Sequence, residues 1–171
     1  MAESRAQYEL GGVANIRPEA IGQPGQRTFR ILIESGAASV CLWLEKEQLY
    51  QLGVYLEEAT ETEEADSIED IYESQWSGGV TDLDFKIGRM SLSHSPATNS
   101  FLLIAHDLSD AEDSEAKVSF WVAHGQAREL AREALRVCAA GRPTCALCGR
   151  PIDPEGHNCP RSNGHAGHLE F

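Results

Sequence analysis

The stretch TFRILIESGAASVCLWLE, residues 28–45, decides the fold of this chain. Phe29, Ile31 and Ile33 stand at alternating positions, and successive side chains of a β-strand point to opposite faces. Gly36 supplies a turn, and ASVCLWLE follows it as a second run of strand-forming residues. The stretch therefore predicts a β-hairpin.

A segment with helical spacing follows the hairpin. Leu49, Leu52, Leu56 and Ala59 recur at steps of three and four residues, which places them on one face of an α-helix. A second set with this spacing lies near the other end of the chain and consists of Ala127, Leu130, Ala134 and Cys138. The sequence thus predicts two amphipathic helices.

The hairpin and its helix recur within the chain. PGQRTFRILIES at residues 24–35 aligns with PATNSFLLIAHD at 96–107, and VCLWLEKEQLYQL at 40–52 aligns with VSFWVAHGQAREL at 118–130. The second alignment needs an insertion of six residues, which we place in the acidic loop at 107–117. The matched pairs are Pro24 and Pro96, Phe29 and Phe101, Val40 and Val118, Trp43 and Trp121, Gln48 and Gln126, and Leu52 and Leu130.

These patterns predict an α+β fold of two β-β-β-α repeats. The first strand of the second repeat is DFKIGRMSLSH at 84–94, and a weaker counterpart, YELGGVANI, stands at 8–16. Short connections favour antiparallel neighbours, so we expect an antiparallel sheet core covered by two helices. The predicted domain spans residues 1–140, with repeat halves at about 8–60 and 83–140, an acidic linker at about 57–80, and a separate tail at 141–171.

Charge and composition limit the partners. The chain has 14 Lys and Arg against 27 Asp and Glu, a net charge of −13 at pH 7, which repels nucleic acid and anionic membranes. Residues 57–74 alone hold nine of the acids and no base. The sequence has neither an apolar run of membrane-spanning length nor a leader pattern. We therefore expect an acidic cytoplasmic protein with no nucleic-acid or membrane partner.

The tail contains a concentrated set of metal ligands, TCALCGRPIDPEGHNCPRSNG at residues 144–164. Cys145 and Cys148 form a C-x-x-C pair whose two sulfurs can reach one tetrahedral ion, and His157 and Cys159 follow at a loop's distance. A Cys3His set fills all four positions of a structural zinc site. Because zinc contributes about 10–16 kcal/mol to such small segments, we predict a zinc knuckle with a structural Zn2+.

Alternatives to this site remain open. His165 or His168 could replace His157 as the fourth ligand. The C-x-x-C pair could instead be a redox pair, or the tail could be reduced and without metal. The remaining cysteines, Cys41 and Cys138, are expected to be small core residues.

A ligand pocket is a further candidate. Trp43 and Trp121 occupy equivalent places in the two repeats, where they are either covered by the fold or line a groove. Arg27 and Arg89, with His94 or His106, would supply polar groups to a pocket between the repeats. The stretch GQPGQRTF before the first hairpin is interpreted as a turn rather than an anion-binding loop completed by Arg27.

Three stretches resemble an uncharacterised bacterial family, domain of unknown function family 3090, known mostly from Actinobacteria and Chloroflexi. They are IGQPGQRTF, LEKEQLYQL with FKIGRMSL, and above all AAGRPTCALCGRPIDPEGHNCPRSNG. Ala146 departs from the family pattern, in which proline is usual. The resemblance implies no established activity, but it implies a genomic context beside a histidine-phosphatase-like and a kinase-like protein.

The resulting functional hypothesis is a non-enzymatic, zinc-containing binding or adaptor protein with a protein partner, which would be one of these phosphate-handling neighbours. The alternative is an enzyme or sensor that binds a phosphorylated small molecule in the pocket between the repeats. A third hypothesis, RNA binding through the knuckle, conflicts with the net charge.

Overall fold

A computed structural model describes residues 6–23, 25–61 and 73–140 of the chain. The tail at 141–171, with all proposed zinc ligands, and residues 62–72 of the acidic linker lie outside the described residues. The described elements are β1 (Ala6–Gly12), β2 (Asn15–Ile21), β3 (Thr28–Ser35), β4 (Ala38–Leu44), α1 (Lys46–Glu61), β5 (Thr81–Ser95), β6 (Ser100–Asp107), β7 (Ala116–Ala123) and α2 (His124–Ala139). The fold is mixed α+β, as predicted.

The seven strands form one sheet in the order β1-β7-β6-β5-β4-β3-β2. The predicted hairpin is confirmed, since β3 and β4 pair antiparallel with Phe29 opposite Leu44 and Ser35 opposite Ala38. The prediction of an antiparallel sheet is correct only in part, because β1 pairs parallel with β7 and β4 pairs parallel with β5. Parallel neighbours need a long crossover, and α1 with the segment after it provides one between β4 and β5.

The two ends of the sheet meet. Only Val13 and Ala14 separate β1 from β2, the strands at opposite ends of the strand order. The Val13 N–H donates to the Trp121 carbonyl of β7 at 3.0 Å, and the Ala14 N–H donates to the Glu34 carbonyl of β3 at 2.7 Å. The sheet therefore curves back on itself around its core.

After β1, the element order is three strands and a helix, twice. Each helix packs the face predicted for it against the core: Leu49, Leu52 and Leu56 in α1 are almost fully buried, whereas Ala59 is only partly buried. In α2 the same holds for the residues expected there, namely Ala127, Leu130, Ala134 and Cys138. The origin of the two halves by duplication stays a prediction from sequence.

One short segment covers the turn of the β3–β4 hairpin. We call Glu73–Trp76 the closing segment; it lies in the region predicted as linker, of which residues 57–61 belong to α1. Its backbone carbonyls pass so close to Gly11, Gly12 and Gly36 that a Cβ at any of these positions would overlap them. Glycine is therefore required at this crossing for lack of space.

Among the described residues, neither helix combines the length and the apolar content that crossing a membrane requires.

Candidate functional site

A cleft of about 470 Å³ lies at the open end of the β3–β4 hairpin, the end opposite the turn. We call it the hairpin-base cleft. Four groups of described residues line it: Gly25 with residues 27–29, which precede and begin β3; residues 43–46 at the end of β4 and the start of α1; Lys86 of β5; and Cys138 with Ala140 at the end of α2 and just after it. Four separate parts of the fold thus converge on one concave surface.

Strand alternation determines which side chains reach the cleft. Phe29 and Leu44 face each other across β3 and β4 and are buried in the core. Trp43 is next to Leu44 and therefore lies on the outer face, where it is half-buried and in register with Lys86 of the parallel strand β5. The cleft consequently has an apolar floor and a polar, aromatic rim.

The charged residues of the cleft are mostly basic. Arg27, Lys46 and Lys86 line it together with one acid, Glu45. Lys86 Nζ lies 2.5 Å from Glu45 Oε1, so this pair is compensated. Arg27 is half-buried and makes no hydrogen bond or ion pair with any other residue that the structure describes. Its guanidinium is the cation best placed to receive an anion.

The indole of Trp43 is fixed by its neighbours. Its Nε1–H donates to Asp84 Oδ1 at 2.7 Å, and the guanidinium of Arg30 lies 5.3 Å from the ring centroid in a cation–π contact. Arg30 is in turn held by Glu19 Oε2, which lies 2.6 Å from its Nη2, and this hydrogen bond raises the pKa of Arg30. The ring therefore keeps its orientation without a ligand.

The structure divides the predicted pocket residues between two places. Arg27 and Trp43 both line the hairpin-base cleft. Arg89 lies on β5 beside His106 of β6, with Arg89 Nη2 3.1 Å from His106 Nε2. Trp121 lies on β7, opposite Leu102 of β6 and Gly12 of β1.

The two histidines considered with them have separate surroundings. Burial and the neighbouring Arg89 lower the pKa of His106. Its Nδ1 is buried and has no hydrogen-bond partner among the described residues. His94 packs against Phe101, with ring centroids 4.8 Å apart. Neither histidine lines the hairpin-base cleft.

The two cysteines outside the tail differ from each other. Cys138 is buried in the core as predicted. Cys41 is only half-buried, because it lies on the outer face of β4 rather than in the core. Burial and the nearby Asp84 raise the pKa of its thiol. The expectation of a core position was therefore wrong for Cys41, which the pattern of β4 places on the same face as Trp43.

The sequence predictions missed Lys46, Lys86 and Glu45 as site residues. Glu45 directly precedes α1 and Lys46 begins it, whereas Lys86 lies on β5, about 40 residues later in the sequence. Only the parallel pairing of β4 with β5 brings them together. A usable signal was present in the residues that follow Trp43, since the end of a strand next to a helix start is a common place for binding groups.

The comparisons with known proteins give one match. Residues 8–159 match a family model described as "Protein of unknown function (DUF3090)". No curated protein and no solved structure matches the chain. The matched range extends to Cys159 and so includes Cys145, Cys148 and His157.

Proposed function

The chain belongs to this family of unknown function, DUF3090, and on that premise we propose that it is a non-enzymatic binding protein. Its recognition site is the hairpin-base cleft, and a zinc-organised tail beside the cleft contacts a protein partner. The observation that carries this proposal is the position of Ala140. This residue directly follows α2 as its C-cap and lines the cleft, so the last described residue before the tail lies at the rim of the site.

The tail holds a structural Zn2+ through Cys145, Cys148, Cys159 and a histidine, which is His157 or, as alternatives, His165 or His168. The chemistry of the donor set supports this part of the proposal, since three thiolates and one imidazole are the ligands of closed tetrahedral zinc sites. The zinc orders the partner-binding tail and takes part in no reaction.

Elemental analysis of reduced, tag-free protein tests the metal. We expect one zinc per chain, loss of that zinc in the double variant Cys145→Ser/Cys148→Ser, and retention in the control Cys41→Ser, whose thiol lies on β4. Wild-type protein that contains no zinc would refute the metal site.

Co-purification tests the partner. We expect the phosphatase-like or the kinase-like neighbour to co-purify with the wild-type protein and with Cys41→Ser, and not with Cys145→Ser/Cys148→Ser. Native mass spectrometry should give the same result with the purified components. Absence of a complex with either neighbour would contradict the adaptor function.

A second candidate function is an enzyme or sensor for a phosphorylated metabolite. One observation favours it: Arg27, which has no described partner, shares the cleft with Lys86, and guanidinium and ammonium groups bind phosphate. In this form of the proposal, the pocket predicted between the repeats is the hairpin-base cleft. Arg89 and Trp121 do not line it. Thermal-shift measurements with phosphate-bearing compounds separate this function from the first, since stabilisation without a protein partner would favour it.

A further inference from the structure

The hairpin-base cleft has the dimensions of a small-molecule site. Its volume is about 470 Å³, within the range of roughly 300–1,000 Å³ that is usual for ligand pockets. Its walls come from three strands, a helix start and a helix end, so the lining is held by the core on several sides. A ligand of the size of a nucleoside monophosphate fits this space.

The charge of the cleft is opposite to that of the chain. The protein carries a net charge of −13, yet the described residues that line the cleft include three basic side chains and one acidic side chain. The acid, Glu45, is already paired with Lys86, which leaves Arg27 as the cation without a described counter-charge. A guanidinium binds the oxygens of a phosphate through two parallel hydrogen bonds. The cleft is therefore suited to one phosphate group.

The aromatic wall adds a second requirement for the ligand. Arg30 covers Trp43 at 5.3 Å from its centroid, and Asp84 accepts its Nε1–H. The ring is thus held in a fixed orientation with part of its surface in the cleft lining. A preorganised indole stacks on planar aromatic groups, and bases stack on such platforms irrespective of their sequence.

From these three properties we propose that the hairpin-base cleft binds a nucleotide-like ligand, a planar aromatic ring that carries a phosphate. Arg27 binds the phosphate, and Trp43 stacks on the ring. This inference rests on the proposed function, in which the cleft is the recognition site, and it adds the chemical class of the ligand.

Isothermal titration calorimetry of the full chain with four probes tests the ligand class. The probes are AMP, ribose 5-phosphate, adenosine and inorganic phosphate, so the ring and the phosphate are removed one at a time. We expect AMP to bind at least tenfold more tightly than ribose 5-phosphate and at least tenfold more tightly than adenosine. Equal affinity for AMP and ribose 5-phosphate would overturn the aromatic part of the inference, and equal affinity for AMP and adenosine would overturn the phosphate part.

Three variants identify the site. Trp43→Leu should weaken AMP about tenfold and leave ribose 5-phosphate unchanged, whereas Arg27→Gln should weaken both about tenfold. The control is Arg17→Gln, an exposed arginine of β2 whose Nη2 lies 4.0 Å from Glu19 Oε1, and it should change neither affinity. An Arg27→Gln variant that binds AMP like the wild type would place the ligand elsewhere and refute the site.

The outcome is separable from the proposed function. If none of the four probes binds, the ligand class is wrong. The recognition site itself would still be supported if Arg27→Gln, but not Arg17→Gln, abolished the complex with a neighbour-encoded partner. If none of the probes binds and neither variant affects that complex, both the ligand class and the use of the cleft as the recognition site are wrong.

Discussion

The two ends of the β3–β4 hairpin are built on different principles. At the turn end, Ser35 is fully buried and the closing segment crosses three glycines in direct backbone contact. At the open end, the hairpin-base cleft has charged and aromatic side chains around a volume of about 470 Å³. The comparison shows one tightly packed end and one open end of the same hairpin, and recognition at the open end is our proposal.

A single hydroxyl ties the turn end together. Ser35 Oγ lies 2.8 Å from the Leu10 carbonyl and 2.7 Å from the Gly12 carbonyl, to which it donates, and it accepts the Trp76 N–H at 3.0 Å. The Gly12 N–H in turn donates to the Ser74 carbonyl at 3.0 Å. Three segments that are far apart in the sequence are therefore joined where β1 ends and β3 turns.

The largest loss of stability should come from adding a side chain where the closing segment passes Gly12. The backbone of Gly12 is one that alanine can adopt, but its new Cβ would overlap the carbonyl of Glu73. We expect Gly12→Ala to lower the free energy of unfolding by about 3 kcal/mol, at the upper end of overpacking costs, as measured by urea denaturation. The matched control is Gly79→Ala, where a Cβ meets nothing within 4 Å. Equal stability of the two variants would show that the closing segment is not held by this contact.

A smaller loss should follow removal of the hydroxyl. Ser35→Ala leaves the Trp76 N–H without its acceptor, and an unsatisfied buried donor costs about 1–3 kcal/mol. Urea denaturation followed by tryptophan fluorescence should detect this loss of stability. Ser39→Ala, an exposed serine on β4, is the control, and a loss there as large as at Ser35 would contradict the special position of Ser35.

The sequence reveals these two ends unequally. The hairpin and the helices follow from alternation and from three- and four-residue spacing, which are local signals. The parallel pairs β1–β7 and β4–β5 join distant segments and leave no local pattern. For the same reason Glu73–Trp76 is predicted as linker, although Gly11, Gly12 and Gly36 hold it.

The candidate site was predictable only in part. Arg27 and Trp43 stand at the two strand ends that the hairpin brings together, so their proximity follows from the predicted pairing. Arg89 and Trp121 were chosen by residue type and by equivalence between the repeats. Neither criterion determines which end or face of a closed sheet a residue occupies, and the structure places both outside the cleft.

The stability of the fold should also depend on pH through His106, which lies on β6, away from both ends of the β3–β4 hairpin. Burial and Arg89 lower the pKa of His106 below its ordinary value, so the unfolded chain binds this proton more readily than the folded one. The contribution of neutral His106 to stability is then fully present above about pH 6.5. It falls as the pH drops through that value towards the lowered pKa of the folded state. Urea denaturation at several pH values should show this loss.

The control for this effect is the other histidine of the same strand pair. His106→Gln should remove the loss below about pH 6.5, whereas His94→Gln, against Phe101, should retain it. A loss that persists in His106→Gln would assign the acid sensitivity to other groups.

The smallest effect on stability should come from the open end. Arg27→Gln removes a half-buried cation that has no described partner, and such surface substitutions usually change the free energy of unfolding by less than about 0.5 kcal/mol. Unfolding by urea should therefore match the wild type, while the same variant binds AMP about tenfold more weakly. A destabilisation as large as that of Ser35→Ala would mean that Arg27 supports the fold. The proposed difference between the two ends of the hairpin would then be wrong, because side chains at the open end would stabilise the fold as those at the turn end do.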